Sequence, residues 1–148
     1  MLRKSSTAHS LFSVFGIEIE YALVTKGSLG ISPTVDQLIK AWSGSVNGHP
    51  TLGNVEADNE LAAHVLEIKC KNPGKDWIQQ TEDFQAFVRE TNGKLKEWNC
   101  QLLPGGMHPF MNPLQESQIW AHDDRSIYES YDRIFGVRLH RPYPFYDD

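Results

Sequence analysis

Phe15-Gly16-Ile17-Glu18-Ile19-Glu20-Tyr21 is the stretch on which the fold turns. In an extended strand successive side chains point to opposite faces, so Ile17, Ile19 and Tyr21 line one face and Glu18 and Glu20 the other. The roots of the two glutamates then lie roughly 6–7 Å apart. Like charges side by side repel, and glutamate is a poor strand former. A local conflict of this kind is expected where function overrides stability. A hard divalent cation would reverse it, because such ions take carboxylate oxygens as ligands. The competing reading is an amphipathic surface strand with an acidic solvent face.

Composition narrows the function classes. A chain of 148 residues, 40% hydrophobic and 22% charged, suits one soluble domain with a core of its own. The net charge of -5 argues against a nucleic-acid binder, which would carry a basic face. No apolar run approaches the ~20 residues of a membrane span, and the basic N-terminal stretch is not followed by an apolar signal core. Cys70 and Cys100 stand apart in no ligand spacing and read as reduced thiols. A cytoplasmic protein with no membrane or nucleic-acid partner is the expectation.

Working outward, residues 1–10 read as a disordered leader and residues 11–25 as the first strand. Ser32-Pro33-Thr34 opens a helix, with Thr34 as its cap and Val35, Leu38, Ile39 and Trp42 as its apolar stripe. Residues 51–58 and 62–71 read as two further strands, separated at Asp58-Asn59-Glu60. A long helix is predicted over 76–99, with Trp77, Thr81, Phe84, Phe87, Val88, Leu95 and Trp98 on its apolar face. A short strand at 101–103 runs into Pro104-Gly105-Gly106-Met107-His108-Pro109. A last helix covers 125–135, with Ile127, Tyr131 and Ile134 on one side, and residues 136–148 form an irregular tail. This order predicts an α+β domain over 11–135, with helices packed on one face of an antiparallel sheet.

The chemistry-bearing positions are acidic. Glu67 interrupts the apolar run Val65-Leu66-Glu67-Ile68 and joins Glu18 and Glu20 if their strands are neighbours. Glu60, seven residues earlier, falls on the opposite face unless the Asp58-Asn59-Glu60 turn breaks the alternation. Lys69 can instead pair with one of these carboxylates and make the group a structural ion-pair network. Adjacent glycines in the Gly105-Gly106 loop let backbone amides approach an anion, and His108 is placed to donate to a substrate, to bind a metal or simply to hold the loop. His64 is expected to be half-buried and hydrogen-bonded rather than catalytic.

Three segments in order carry a resemblance: Phe15-Gly16-Ile17-Glu18-Ile19-Glu20, then Asn59-Glu60 through His64-Val65-Leu66-Glu67-Ile68-Lys69, then Leu102-Leu103-Pro104-Gly105-Gly106-Met107-His108-Pro109. Together they resemble the glutamate–cysteine ligase superfamily, within the glutamine-synthetase-like carboxylate–amine ligases. The resemblance covers residues 14–135 and corresponds to the amino-terminal portion of those longer proteins. It implies a half-barrel-like sheet, incomplete relative to the family. It implies ATP as co-substrate, Mg²⁺ or Mn²⁺ as cofactor, and glutamate plus an amine or amino acid as substrates, joined through an acyl phosphate. Glu18, Glu20 and Glu67 would then be metal ligands, Glu60 a ligand of the metal or the amine, and His108 part of the substrate end. An alternative of another class is a non-catalytic metal- or ligand-binding module derived from that fold. An exposed sheet edge would let either form a homo-oligomer.

Overall fold

The computed structural model describes residues 9–123 and 125–135. In chain order they form β1 (Glu18–Thr25), α1 (Val35–Ser43), β2 (Thr51–Leu52), β3 (Val55–Asn59), β4 (Val65–Cys70), α2 (Trp77–Leu95), β5 (Cys100–Pro104), α3 (Pro113–Glu116) and α4 (Arg125–Phe135). The strands make one curled, half-barrel-like sheet in the order β2-β3-β4-β1-β5, with every neighbour antiparallel. The chain is therefore α+β, as its alternating patterns predict.

The strand carrying Glu18 and Glu20 sits inside the sheet, between β4 and β5. It begins at Glu18, where the continuous ladder with β4 starts, rather than at residue 11, although Ile17 O still accepts from Cys70 N–H at 3.0 Å. Phe15 makes only an isolated bridge to Gly74, and Phe12 adopts a φ of 62° with its ring 92% exposed. The segment expected as one strand over 51–58 is instead a hairpin, β2 and β3, turning at Gly53-Asn54 with Gly53 at φ 60°. A turn with a central residue at positive φ reverses the chain with the twist that paired strands need.

The helices cover one face of the sheet. Val35, Leu38 and Ile39 of α1 and Phe84, Phe87 and Leu95 of α2 join Leu23, Ala57, Leu66, Ile68 and Leu102 of the strands in one buried cluster. Each of these side chains larger than alanine contributes on the order of 1.5–3 kcal/mol by leaving water. Trp42 stacks on Phe87 at 4.9 Å, which ties α1 to α2, and the Lys94 ammonium lies 4.8 Å from the Trp42 ring centre. Thr34 occupies the cap position of α1 without a side-chain cap bond, its hydroxyl meeting Ser32 Oγ at 3.1 Å instead. Asp76 does cap α2, accepting from Gln79 N–H at 3.0 Å.

The long helix stops at Leu95, where a short 3₁₀ turn, Lys96–Trp98, leads to Asn99 in the left-handed region. Its inward face is Gln80, Phe84, Phe87, Thr91 and Leu95, so Trp77 and Thr81 point to solvent rather than into the core. The helix over 125–135 forms as expected, but Tyr128 faces the core while Ile127, Tyr131 and Ile134 are exposed. Both cysteines are free thiols. Most of the expected leader and all of the expected 136–148 tail lie outside the described residues. No described helix is long and apolar enough to cross a membrane.

Candidate functional site: an acidic sheet face

The sheet face opposite the helices collects the acidic residues in two rows. Glu20 of β1 stands opposite Glu67 of β4, which stands opposite Asp58 of β3. One pleat along, Glu18 stands opposite Lys69, which stands opposite Glu56. Like charges directly opposed across strands are destabilising, so the first row needs compensation. Lys69 supplies it, bonding Glu67 Oε1 at 2.9 Å and Asp58 Oδ2 at 3.1 Å. Burial pulls the Lys69 ammonium down, but the bonds to Glu67 and Asp58 prevail and hold it above its ordinary value. His49 Nδ1 adds a third contact to Asp58 at 3.3 Å.

Glu60 joins this face. Burial pushes its carboxyl from 4.5 up to about 7, and its hydrogen bond to Glu67 and the charges of Glu67 and Glu20 act in the same direction. The Leu61 N–H, donating to Glu60 Oε2 at 3.2 Å, opposes them and loses. Counting alternation along a continuous strand put Glu60 and Glu67 on opposite faces. The chain reverses between them, and antiparallel pairing resets the parity: Asp58 faces Glu67, so the residue two beyond Asp58 shares its face. The break at the Asp58-Asn59-Glu60 turn therefore occurs, although Asp58 and Asn59 themselves belong to β3.

The glycine loop closes one end of the face. Gly105 N–H donates to Glu20 O at 3.1 Å, and Ala22 N–H donates to Gly105 O at 3.1 Å, so the loop continues the pairing of β1. Gly106 packs against the Glu20 side chain so closely that an added Cβ would collide with the carboxylate. This close approach is the physical reason for a glycine there.

His108 takes the loop-holding role. Its Nδ1 accepts from Phe110 N–H at 3.1 Å, which leaves Nε2 to carry the proton and donate to Leu29 O at 2.7 Å. Both ring nitrogens are thus committed to backbone. His64, expected to be half-buried and hydrogen-bonded, is 2% exposed, and its Nδ1 has no hydrogen-bond partner among the described residues. Burial lowers its pKa, the nearby His108 acts with burial, and Glu116 opposes it.

The structure thus brings Glu20, Glu60 and Glu67 together, sets Glu18 in the adjoining row, and turns His108 into a brace. The unforeseen members are Asp58 and Glu56, which the alternation Val55-Glu56-Ala57-Asp58 signals once the Gly53-Asn54 hairpin is recognised. Beside Asp58 lies a cavity of about 290 Å³ lined by Asn47, His49, Asp58, Asn59, Trp120 and Asp123. Among the described residues, no three His, Cys, Asp or Glu side chains stand as they lie in an arrangement that could hold a metal ion. The donor types and their crowding suit a hard cation, while Lys69 now occupies the Glu67 oxygen such an ion would take.

Comparison with known proteins attaches no activity to this face. No family model matches the chain. An uncharacterized protein of Archaeoglobus fulgidus is 33% identical over 108 residues, which is 73% of this chain and 29% of that protein. The chain therefore spans less than a third of the relative's length.

Proposed function

We propose that the acidic face is one wall of a carboxylate–amine ligase site of the glutamate–cysteine ligase type, dependent on ATP and Mg²⁺ or Mn²⁺. The observation that carries the reading is the crowding of Glu20, Glu60 and Glu67 on the sheet face opposite the described helices, with a glycine loop pressed against Glu20. Glu18, Glu20 and Glu67 would hold the metal. The metal, when bound, would neutralise phosphate charge and orient the phosphoryl group for transfer to a glutamate side chain.

Within that reaction the amine nitrogen forms its bond to the acyl carbon while phosphate leaves with the electrons of the C–O bond. The amine must shed a proton as it attacks, and Glu60, which lies against Glu67, is the carboxylate placed to take it. Gly106 keeps the Glu20 carboxylate fixed at the loop end of the face. His108 contributes by bracing the loop rather than by touching substrate.

The ion pairs of Lys69 favour a second reading, in which the face is electrically satisfied and serves a non-catalytic binding module. Release of ADP from ATP that requires both glutamate and an amine, and disappears in Glu18→Gln, is the result expected of the ligase. A Mg²⁺-dependent rise in melting temperature without turnover is the result expected of the module. If Glu18→Gln and Glu20→Gln leave the response to Mg²⁺ unchanged, neither glutamate is a ligand and the ligase reading falls.

A further inference from the structure

The cavity of about 290 Å³ beside Asp58 opens where the short β2 ends. That strand pairs only with Val55 and Glu56, and from Ala57 onward the edge of β3 is met by a loop, through Ala57 N–H to Pro50 O at 2.9 Å. The walls of the cavity are held from behind. Trp120 is its buried floor, with its N–H donating to Leu61 O at 2.9 Å and its ring meeting His122 edge to face at 4.9 Å. His122 Nε2 lies in turn 3.2 Å from Asp36 Oδ2 of α1. Asn59 Nδ2 donates to the Tyr128 hydroxyl at 3.0 Å, and His49 turns Nδ1 toward Asp58 Oδ2 at 3.3 Å. The cavity is therefore formed in advance of any guest.

What these contacts leave over is polar. Among the described residues no hydrogen bond engages the side-chain amide of Asn47, Asn59 Oδ1, His49 Nε2 or the Asp123 carboxylate. Asp58 is already committed, to Lys69 Nζ at 3.1 Å, to His49 and to the Asn59 N–H at 3.0 Å. An anion would meet two carboxylates. An apolar guest would strand four hydrogen-bonding groups. A hard cation wants several oxygen ligands and would find one uncommitted carboxylate. Hydroxyl groups both donate and accept, so a ring bearing several of them serves amide, imidazole and carboxylate at once. The volume lies just below the ~300–1,000 Å³ of small-molecule sites, which limits the guest to a single ring.

We propose that this cavity binds a neutral ring polyol, a monosaccharide or cyclitol, through Asn47, His49, Asn59 and Asp123 above the Trp120 floor. The site goes beyond the ligase reading. It uses none of Glu18, Glu20, Glu60 and Glu67, and it stands or falls without them.

Saturation-transfer NMR of the full chain with myo-inositol, D-glucose and D-ribose tests this, with cyclohexanol, methylamine and acetate as contrasting probes. At least one polyol is expected to bind, with a dissociation constant on the order of 1–10 mM, and cyclohexanol at least roughly tenfold more weakly. Asn47→Ala and Asp123→Ala should each weaken the polyol roughly tenfold, the scale of one lost hydrogen bond. Both side chains are exposed, so the melting temperature should not move. Asp123→Asn keeps an acceptor and drops the charge, and should hold the affinity within about threefold. Silence from all three polyols overturns the inference, as does equal binding of cyclohexanol or binding that survives the two alanine substitutions together. A site that prefers methylamine and fails in Asp123→Asn holds a cation instead, and one that prefers acetate holds an anion; either result overturns the polyol.

Discussion

Glu60 sits where a carboxylate is hard to keep charged. Its folded-state pKa of about 7 lies above the ordinary 4.5, so the protonated form is the one the fold favours. Its contribution to stability is fully present below pH 4.5 and is lost as pH rises through 7. Glu60→Gln, which cannot ionise, should therefore match the parent chain in acid and exceed it at pH 8. With allowance for solvent screening the gain is about 1 kcal/mol. Urea melts of both proteins at pH 4.5, 6 and 8 would show the gap opening across that interval; a constant gap would mean that Glu60 ionises freely. Gly106 offers a second residue-scale check. Gly106→Ala places a methyl group against the Glu20 carboxylate, which must swing away. Because that carboxylate is the end of a flexible side chain, the stability cost should stay near 1 kcal/mol. In the ligase reading the displaced ligand weakens Mg²⁺ binding, measurable as a smaller Mg²⁺-induced thermal shift than in the unmodified chain.

At the scale of elements, the β3–β4 pair depends on Lys69. From the adjoining row it bridges carboxylates of both strands, Asp58 and Glu67, which otherwise oppose each other as like charges. Lys69→Met keeps the apolar stem and removes the charge, leaving two partly buried carboxylates to repel. A loss of roughly 1–2 kcal/mol at pH 7 is expected, recovered as acid protonates the carboxylates. If Glu67 is a metal ligand, the same variant should bind Mg²⁺ more tightly, because the ion no longer competes with the ammonium. An unchanged midpoint in urea at pH 7 would show that the bridge carries no net stability. Helix α4 separates two kinds of residue in the same way. Tyr128 reaches the core cluster and its hydroxyl meets Asn59 Nδ2 at 3.0 Å, whereas Ile127 and Ile134 are 52% and 70% exposed. Tyr128→Phe should cost about 1 kcal/mol by leaving Asn59 short of a partner. Ile127→Ser should change stability by less than about 0.5 kcal/mol in a urea melt.

At the scale of the whole molecule, what the sequence revealed and what it hid divide along one physical line. Short-range periodicity is local, so the stripe Val35, Leu38, Ile39 and Trp42 was legible, as was the extended strand at Glu18 to Tyr21, although Ile19 is 37% exposed and its face is not buried there. Strand limits and faces depend on partners elsewhere in the chain. The first strand starts at Glu18 because pairing starts there, and Glu60 changes face because the chain doubles back. Trp77 looks like core by composition and lies in solvent because α2 turns Gln80 and Phe84 inward. His64 belongs to the same hidden class. Ala63 N–H donates to Gln118 O at 2.8 Å and Trp120 N–H donates to Leu61 O at 2.9 Å, so the chain after α3 straps the β3–β4 connection. Nothing in Ala62-Ala63-His64 announces that strap, which joins segments more than fifty residues apart.

The strap's consequence is a pH dependence opposite in sign to that of Glu60. His64 is 2% exposed, and burial, reinforced by His108 and only partly opposed by Glu116, holds its pKa below the ordinary 6.5. The neutral imidazole is the form the fold favours, so its contribution is complete above pH 6.5 and is lost as pH falls. Between pH 4.5 and 6.5, acid therefore strengthens the fold through Glu60 and weakens it through His64. The unmodified chain sums the two, and its stability should vary less with pH there than either group alone would make it. Single substitutions should separate them. Glu60→Gln leaves the His64 effect, and its stability should fall steadily from pH 7 to pH 5. His64→Leu leaves the Glu60 effect, and its stability relative to the unmodified chain should grow over the same range. Thermal melts of the three proteins at half-unit intervals would show two slopes of opposite sign. If the margin of His64→Leu over the unmodified chain stays flat from pH 7 to pH 5, His64 takes up its proton without opening the strap, and the acid sensitivity has another source.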